Sequence, residues 1–227
     1  MIFDPLYLLF TVPALLLSLW AQYKVQSTFK RFSAVGVRSG MTGAEAARAI
    51  LRASGLDGLT IERHEGFLSD HYDPRTRTLR LSPDVHDGRS ISAVAVAAHE
   101  AGHSLQHAAA YGPLSLRSRL VPVVQVGSQL WYLPFIAGLI LDMAGLIWVA
   151  IALFGAVVLF QLVTLPTEFD ASKRARAMLA SVGIVRTPDE EDGVAKVLNA
   201  AALTYVAALL SSLMQLLYMV MRAQDRR

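Results

Sequence analysis

His99, Glu100 and His103 stand in the order His-Glu-Ala-Gly-His. On a helix, residues four apart share one face a single turn apart, so the two imidazoles can grip one ion. Glu100 then points to the adjacent edge of the same site. From there it can take a proton from ion-bound water and pass it to a departing amine. Zinc (Zn2+) is the expected ion, because it brings the pKa of bound water to about 7 and so makes a nucleophile available at neutral pH. Ala98, Ala101 and Gly102 leave room for close packing around such a centre.

Catalytic zinc keeps one position open and needs a further protein ligand beyond these two histidines. The chain contains no cysteine, so that ligand must be His, Asp or Glu, and disulfides are excluded. His107 is one turn past His103. On a straight helix, however, it lies about 12 Å along the axis from His99, too far for zinc–nitrogen bonds of about 2 Å. It is expected to support the site or the fold instead. Glu168, in Pro166-Thr167-Glu168-Phe169-Asp170-Ala171-Ser172, is the better candidate. Asp170 is its rival, and side-chain chemistry alone does not separate them. Tyr205, His71, Tyr72 and Arg174 are candidates for stabilising an oxyanion.

These residues need elements to hold them. Ser90 caps a run from Ile91 to Ala110 that reads as a buried helix, with Gly112-Pro113 as its stop. Thr42 and Glu45 have capping-box spacing, and Gly55 closes a helix over 43–54. Leu59–Arg63 and Thr78–Leu81 are β-prone, with turn chemistry at Asp73-Pro74-Arg75-Thr76 between them, so a hairpin or small sheet is expected. Residues 78–81 could pair with an extended substrate by strand addition. A helix is expected over Thr167–Ser181, and Thr187, Pro188 and Glu190 mark the start of another.

Hydrophobic residues make up 54% of the chain and charged ones 17%, against about 25% charged in an ordinary soluble domain. The balance points to a lipid bilayer as partner. Leu6–Trp20 reads as an uncleaved anchor helix, and Val121–Val163 fits two crossings with a turn near Asp142 and Gly145. Ala200–Val220 is a further span or a buried bundle helix. The expected organisation is an anchor over 1–23, a catalytic region over 24–120, a membrane hairpin over 121–165, a third-ligand and connecting segment over 166–199, and a final helix and tail over 200–227. Lys24, Lys30, Arg31, Arg117, Arg119, Lys173, Arg174 and Arg176 flank the spans on one side, which the distribution of positive charge assigns to the cytoplasm. Arg222, Arg226 and Arg227 fit that scheme poorly. A net charge of +3 gives no reason to expect nucleic acid.

The sequence resembles the YugP-like neutral zinc metallopeptidases, bacterial membrane proteins related in motif to the HtpX-like group. The resemblance covers most of the chain. It rests on Asp70-His71-Tyr72-Asp73-Pro74, on Ala97 to His103 with Gln106-His107, on Leu165 to Ser172, and on Ala200 to Tyr205. It implies zinc on His99, His103 and Glu168, Glu100 as catalytic base, and a site facing the cytoplasm of a multi-pass plasma-membrane protein. The wider HtpX-like pattern has an Asp four residues after its ligand Glu, where this chain has Ser172. Either Asp170 or Ser172 is therefore expected to orient a ligand histidine.

The expectation is a mainly α integral membrane protein. It has three to four transmembrane helices and a small α+β zincin-like catalytic domain of the HExxH gluzincin type. Its activity would be endopeptidase cleavage of membrane-proximal or misfolded polypeptides. The alternatives are a catalytically silent membrane scaffold retaining zinc and a transporter. A purely structural zinc is normally closed by a fourth protein ligand that is not evident here. The His/Glu cluster also lies outside the longest apolar runs, against a transport path. Nothing in the sequence sets an oligomeric state.

Overall fold

A computed structural model describes residues 4–66 and 69–225. The protein is mostly helical with a small sheet. It divides into two compact units, one built from the chain up to Gln22, residues 112–166 and the chain from Leu203 onward, the other from residues 23–111 and 167–202.

In the second unit, α2 (Gly43–Ala53) starts at the full capping box expected from Thr42 and Glu45. Its buried face, Ala46, Ala47, Ile50 and Leu51, packs on α4 (Ile91–Ala108), which Ser90 caps through the Ala93 amide. Before α4 come β1 (Thr60–Arg63), β2 (His71–Asp73), β3 (Thr78–Leu81) and the single turn α3 (Pro83–His86). The sheet order is β1-β3-β2. β3 pairs parallel with β1 and antiparallel with β2. The expected turn at residues 73–76 therefore joins β2 to β3, not β1 to β3. Asp73 Oδ1 accepts from the Arg75 amide there (2.9 Å), the local bond that makes Asp a turn former. Leu79 and Leu81 of the middle strand are fully buried.

The first unit contains apolar helical runs. Among the described residues, four stretches are long and apolar enough to cross a membrane: α1 (Pro5–Ser33), Gly112–Ile140, α7 (Ala144–Ser181) and α8 (Pro188–Gln224). The second of these is two helices, α5 (Gly112–Leu130) and α6 (Tyr132–Ile140), broken at Trp131. Asp142 makes the expected turn, with φ of 55°. Phe135, Ile147, Phe154 and Tyr218 form a small core. Leu9, Leu16, Ile140 and Leu141 are each more than 60% exposed, a surface suited to lipid rather than water. Ser18 and Ser211 join α1 to α8 by a hydroxyl bond of 3.2 Å, a short polar contact of the kind that links membrane helices. Arg222 pairs with Asp4, which also accepts from the Tyr218 hydroxyl (3.1 Å). That pairing accounts for a cation that fitted the sequence poorly; Arg226 and Arg227 lie outside the described residues.

Two expected boundaries move. Gly112-Pro113 does not end α4, which stops at Ala108; it opens α5, where proline's missing N–H costs nothing. Residues 167–181 are not a separate helix. α7 runs unbroken from Ala144 through Pro166 to Ser181. Pro166 removes one donor from the ladder without ending it, as prolines in apolar helices often do.

Candidate functional site

α4 sets His99 and His103 one turn apart with their ring centroids 4.8 Å from each other. α7 supplies the third group. Glu168 Oε2 lies 3.0 Å from His99 Nε2 and 3.5 Å from His103 Nε2. Donor atoms of the three side chains all fall within 4.8 Å of one another. Glu168 is 2% exposed.

The close approach of α4 and α7 has a cause in the sequence. A methyl group on Gly102 would lie 2.6 Å from the Ala171 carbonyl oxygen. Any side chain at 102 would meet the α7 backbone at Ala171, push the two helices apart and carry Glu168 away from the histidines. Ala98, Ala101 and Ala171 are fully buried beside it.

Each imidazole is also held from behind. Ser172 Oγ bonds His99 Nδ1 at 3.1 Å. Gln106 Oε1 bonds His103 Nδ1 at 3.0 Å, and Gln106 Nε2 donates to the Thr167 carbonyl and to Asp170 Oδ2, both at 2.8 Å. Gln106 thus uses both amide protons on α7, and its oxygen can only accept. In the neutral imidazole, His103 Nδ1 carries the proton and Nε2 presents its lone pair toward Glu168. Asp170 is in turn fixed by Arg174 Nε (2.6 Å).

Glu168 and Asp170, equivalent by chemistry, are thereby separated. Glu168 faces the histidine pair, while Asp170 braces Gln106. The orienting partner expected as either Asp170 or Ser172 is shared, Ser172 on His99 and Asp170 on His103 through Gln106. In the sequence Gln106 stands only within the motif that carries the family resemblance, with no role of its own. Its position seven residues after His99, two turns along the same stripe, was the available signal. Substituting Gln106→Ala is expected to lower zinc affinity 10–100-fold, as loss of a ligand's supporting bond does. Competition with a chromophoric chelator measures this; an unchanged affinity would count against the network.

His107 is absent from the cluster and bonds the Tyr72 hydroxyl through Nδ1 (2.8 Å). Glu100, 8% exposed, sits on α4 beside the cluster. Its near neighbour is Asp70, whose carboxyl is pushed above the usual range by burial and by the Glu100 charge, against the bonds it accepts from Ser82. Of the other oxyanion candidates, His71 bonds the Ser69 carbonyl, Arg174 pairs with Asp170 and covers the Tyr111 ring, and Tyr205 belongs to the other unit. Strand addition at 78–81 is not available, because β3 is the middle strand and both its edges are paired. β1 and β2 are the edge strands, and β2 lies beside α4.

The donor set suits a zinc ion. Two imidazole nitrogens and one carboxylate oxygen, with no thiolate, are a ligand set of catalytic zinc. Burial works against charge on His103, but the Glu168 carboxylate outweighs it and holds the imidazole above its ordinary range. The centre of the cluster therefore favours positive charge, which a divalent cation brings.

Such a largely buried His/His/Glu cluster on packed helices defines a candidate zinc centre in a helical, membrane-type protein. The chain belongs to the neutral zinc metallopeptidase family: the family model described as "Putative neutral zinc metallopeptidase" matches residues 7–224. It is 52% identical over 216 residues to a Bacillus subtilis (strain 168) protein named "Putative membrane protease YugP", covering 95% of this chain and 96% of that one. No solved structure matches it. Zinc is the metal of this family, and His99, His103 and Glu168 form a group that could hold it.

Proposed function

We propose that the protein is a zinc endopeptidase of the bacterial cell membrane, with His99, His103 and Glu168 as ligands and Glu100 as general base. The observation that carries this is the position of Glu168 Oε2, 3.0 and 3.5 Å from two histidine nitrogens that are 69 and 65 residues away in sequence. A helix bearing HExxH beside a small sheet, with a glutamate from a later helix, is a zincin-like arrangement of the gluzincin type. Its parts would be the anchor (1–23), the catalytic region (24–120), the hairpin (121–165), the third-ligand segment (166–199) and the final helix.

Zinc, when bound, supplies Lewis acidity that polarises a peptide carbonyl and makes water nucleophilic near neutral pH. The chain's own residues do the rest. Glu100 takes the proton of the attacking water and hands it to the departing amine nitrogen. Gln106 and Ser172 keep the Nδ1 atoms occupied, so the Nε2 atoms stay available as ligands. The substrates proposed are misfolded or membrane-proximal polypeptides, reached from the cytoplasm, the side that the positive charges flanking the spans favour.

Cleavage of casein by the detergent-purified full-length chain tests this reading. Internal peptide bonds should be cut, as mass spectrometry of the fragments would show. A protein that carries zinc and cuts nothing would favour the scaffold reading.

A further inference from the structure

In the peptidase reading, a hydrogen-bond donor of the protein aimed at the substrate carbonyl oxygen would add to the stabilisation that a bound zinc would supply there. The path of β2 beside α4 indicates where it comes from. Asp70, immediately before β2, is close enough to Glu100 for their charges to interact. Two residues on, the Tyr72 hydroxyl meets His107 Nδ1 at 2.8 Å, with ring centroids 5.8 Å apart. Glu100 and His107 are seven residues apart, hence on one face of α4, with His103 at an intermediate level. Residues 70–72 therefore run along the flank of α4 that carries Glu100. They bring a hydroxyl to within one helical turn, about 6 Å along the axis, of the level of His103.

Two further features suit the role. β2 is an edge strand, so an extended peptide has access to it. Tyr72 is half-buried, and burial raises its hydroxyl pKa above the ordinary value, so the group stays protonated near neutral pH. The ring also packs against the buried core, which limits its freedom.

Resting on the peptidase reading above, we propose that Tyr72 donates a hydrogen bond to the oxyanion that develops on the substrate carbonyl, and that His107 is the residue positioning it. His107 Nδ1–H donates to the Tyr72 oxygen, which leaves the phenolic proton for the substrate. Tyr72 then touches the reacting group, whereas His107 acts only through it.

The test is steady-state cleavage of a fluorogenic peptide by the full-length chain in detergent, with zinc content and melting temperature measured for every variant. Tyr72→Phe should lower kcat about 10²–10³-fold, the usual cost of losing one such donor, with KM within twofold and zinc retained. A phosphinic peptide, whose tetrahedral oxygen mimics the oxyanion, should bind Tyr72→Phe more weakly by the factor lost in kcat/KM. His107→Ala, at an exposed position, should lower kcat about tenfold. His107→Asn, whose amide nitrogen falls near the place of Nδ1, should restore most of it. An unchanged kcat in Tyr72→Phe, or a loss confined to KM, would overturn the assignment while leaving the peptidase reading intact. Absence of cleavage by the wild-type chain would instead overturn the peptidase reading, and this one with it.

Discussion

Glu100→Gln is expected to leave about one zinc per chain and to lower kcat about 10²–10⁴-fold, the range that positioned acid–base groups contribute. The amide has nearly the size and shape of the carboxylate, so the packing around a residue only 8% exposed is kept. What is lost is the ability to accept a proton. Glu100 is not in the ligand cluster, so metal content should not follow activity. Zinc analysis beside casein cleavage separates the two. A variant that still cleaves at the wild-type rate would remove Glu100 from the mechanism and direct attention to Asp70, the half-buried carboxyl whose charge interacts with it.

Glu168→Ala should have the largest effect on the metal. Supporting bonds to ligands are worth about 10–100-fold in affinity, and removing a ligand outright should cost at least as much as the upper end of that range. Asp170 has no freedom to replace it, being committed to Gln106 and Arg174. A competition titration of the purified variant reads the affinity, and a melting curve checks that α4 and α7 still pack. Wild-type affinity in Glu168→Ala would mean that the His/His/Glu cluster is not the metal site.

The helix carrying His99 and His103 was legible because its signals are local. A serine cap, alanine-rich propensity and the four-residue spacing of the histidines all act within one turn or a few. The same holds for α2 and its capping box. Side-chain chemistry alone did not separate Glu168 from Asp170, because both sit on the same helix and only its rotation against α4 decides between them. That rotation is fixed by Gly102 meeting Ala171, a contact across 69 residues of sequence. β2 was missed because His71-Tyr72-Asp73 has no apolar alternation to mark it. The parallel pairing of β1 with β3 depends on long-range register that no short window contains. The helix expected to begin at Thr167 is instead the end of α7, which continues through Pro166 although proline disfavours a helix interior.

Zinc content of the detergent-purified full-length chain, followed through chelation and re-addition with casein cleavage measured at each stage, tests the central claim most directly. About one zinc per chain, with cleavage lost on chelation and regained on zinc return, is the expected result. A chain that binds no stoichiometric zinc, or whose cleavage is indifferent to the chelator, would contradict it.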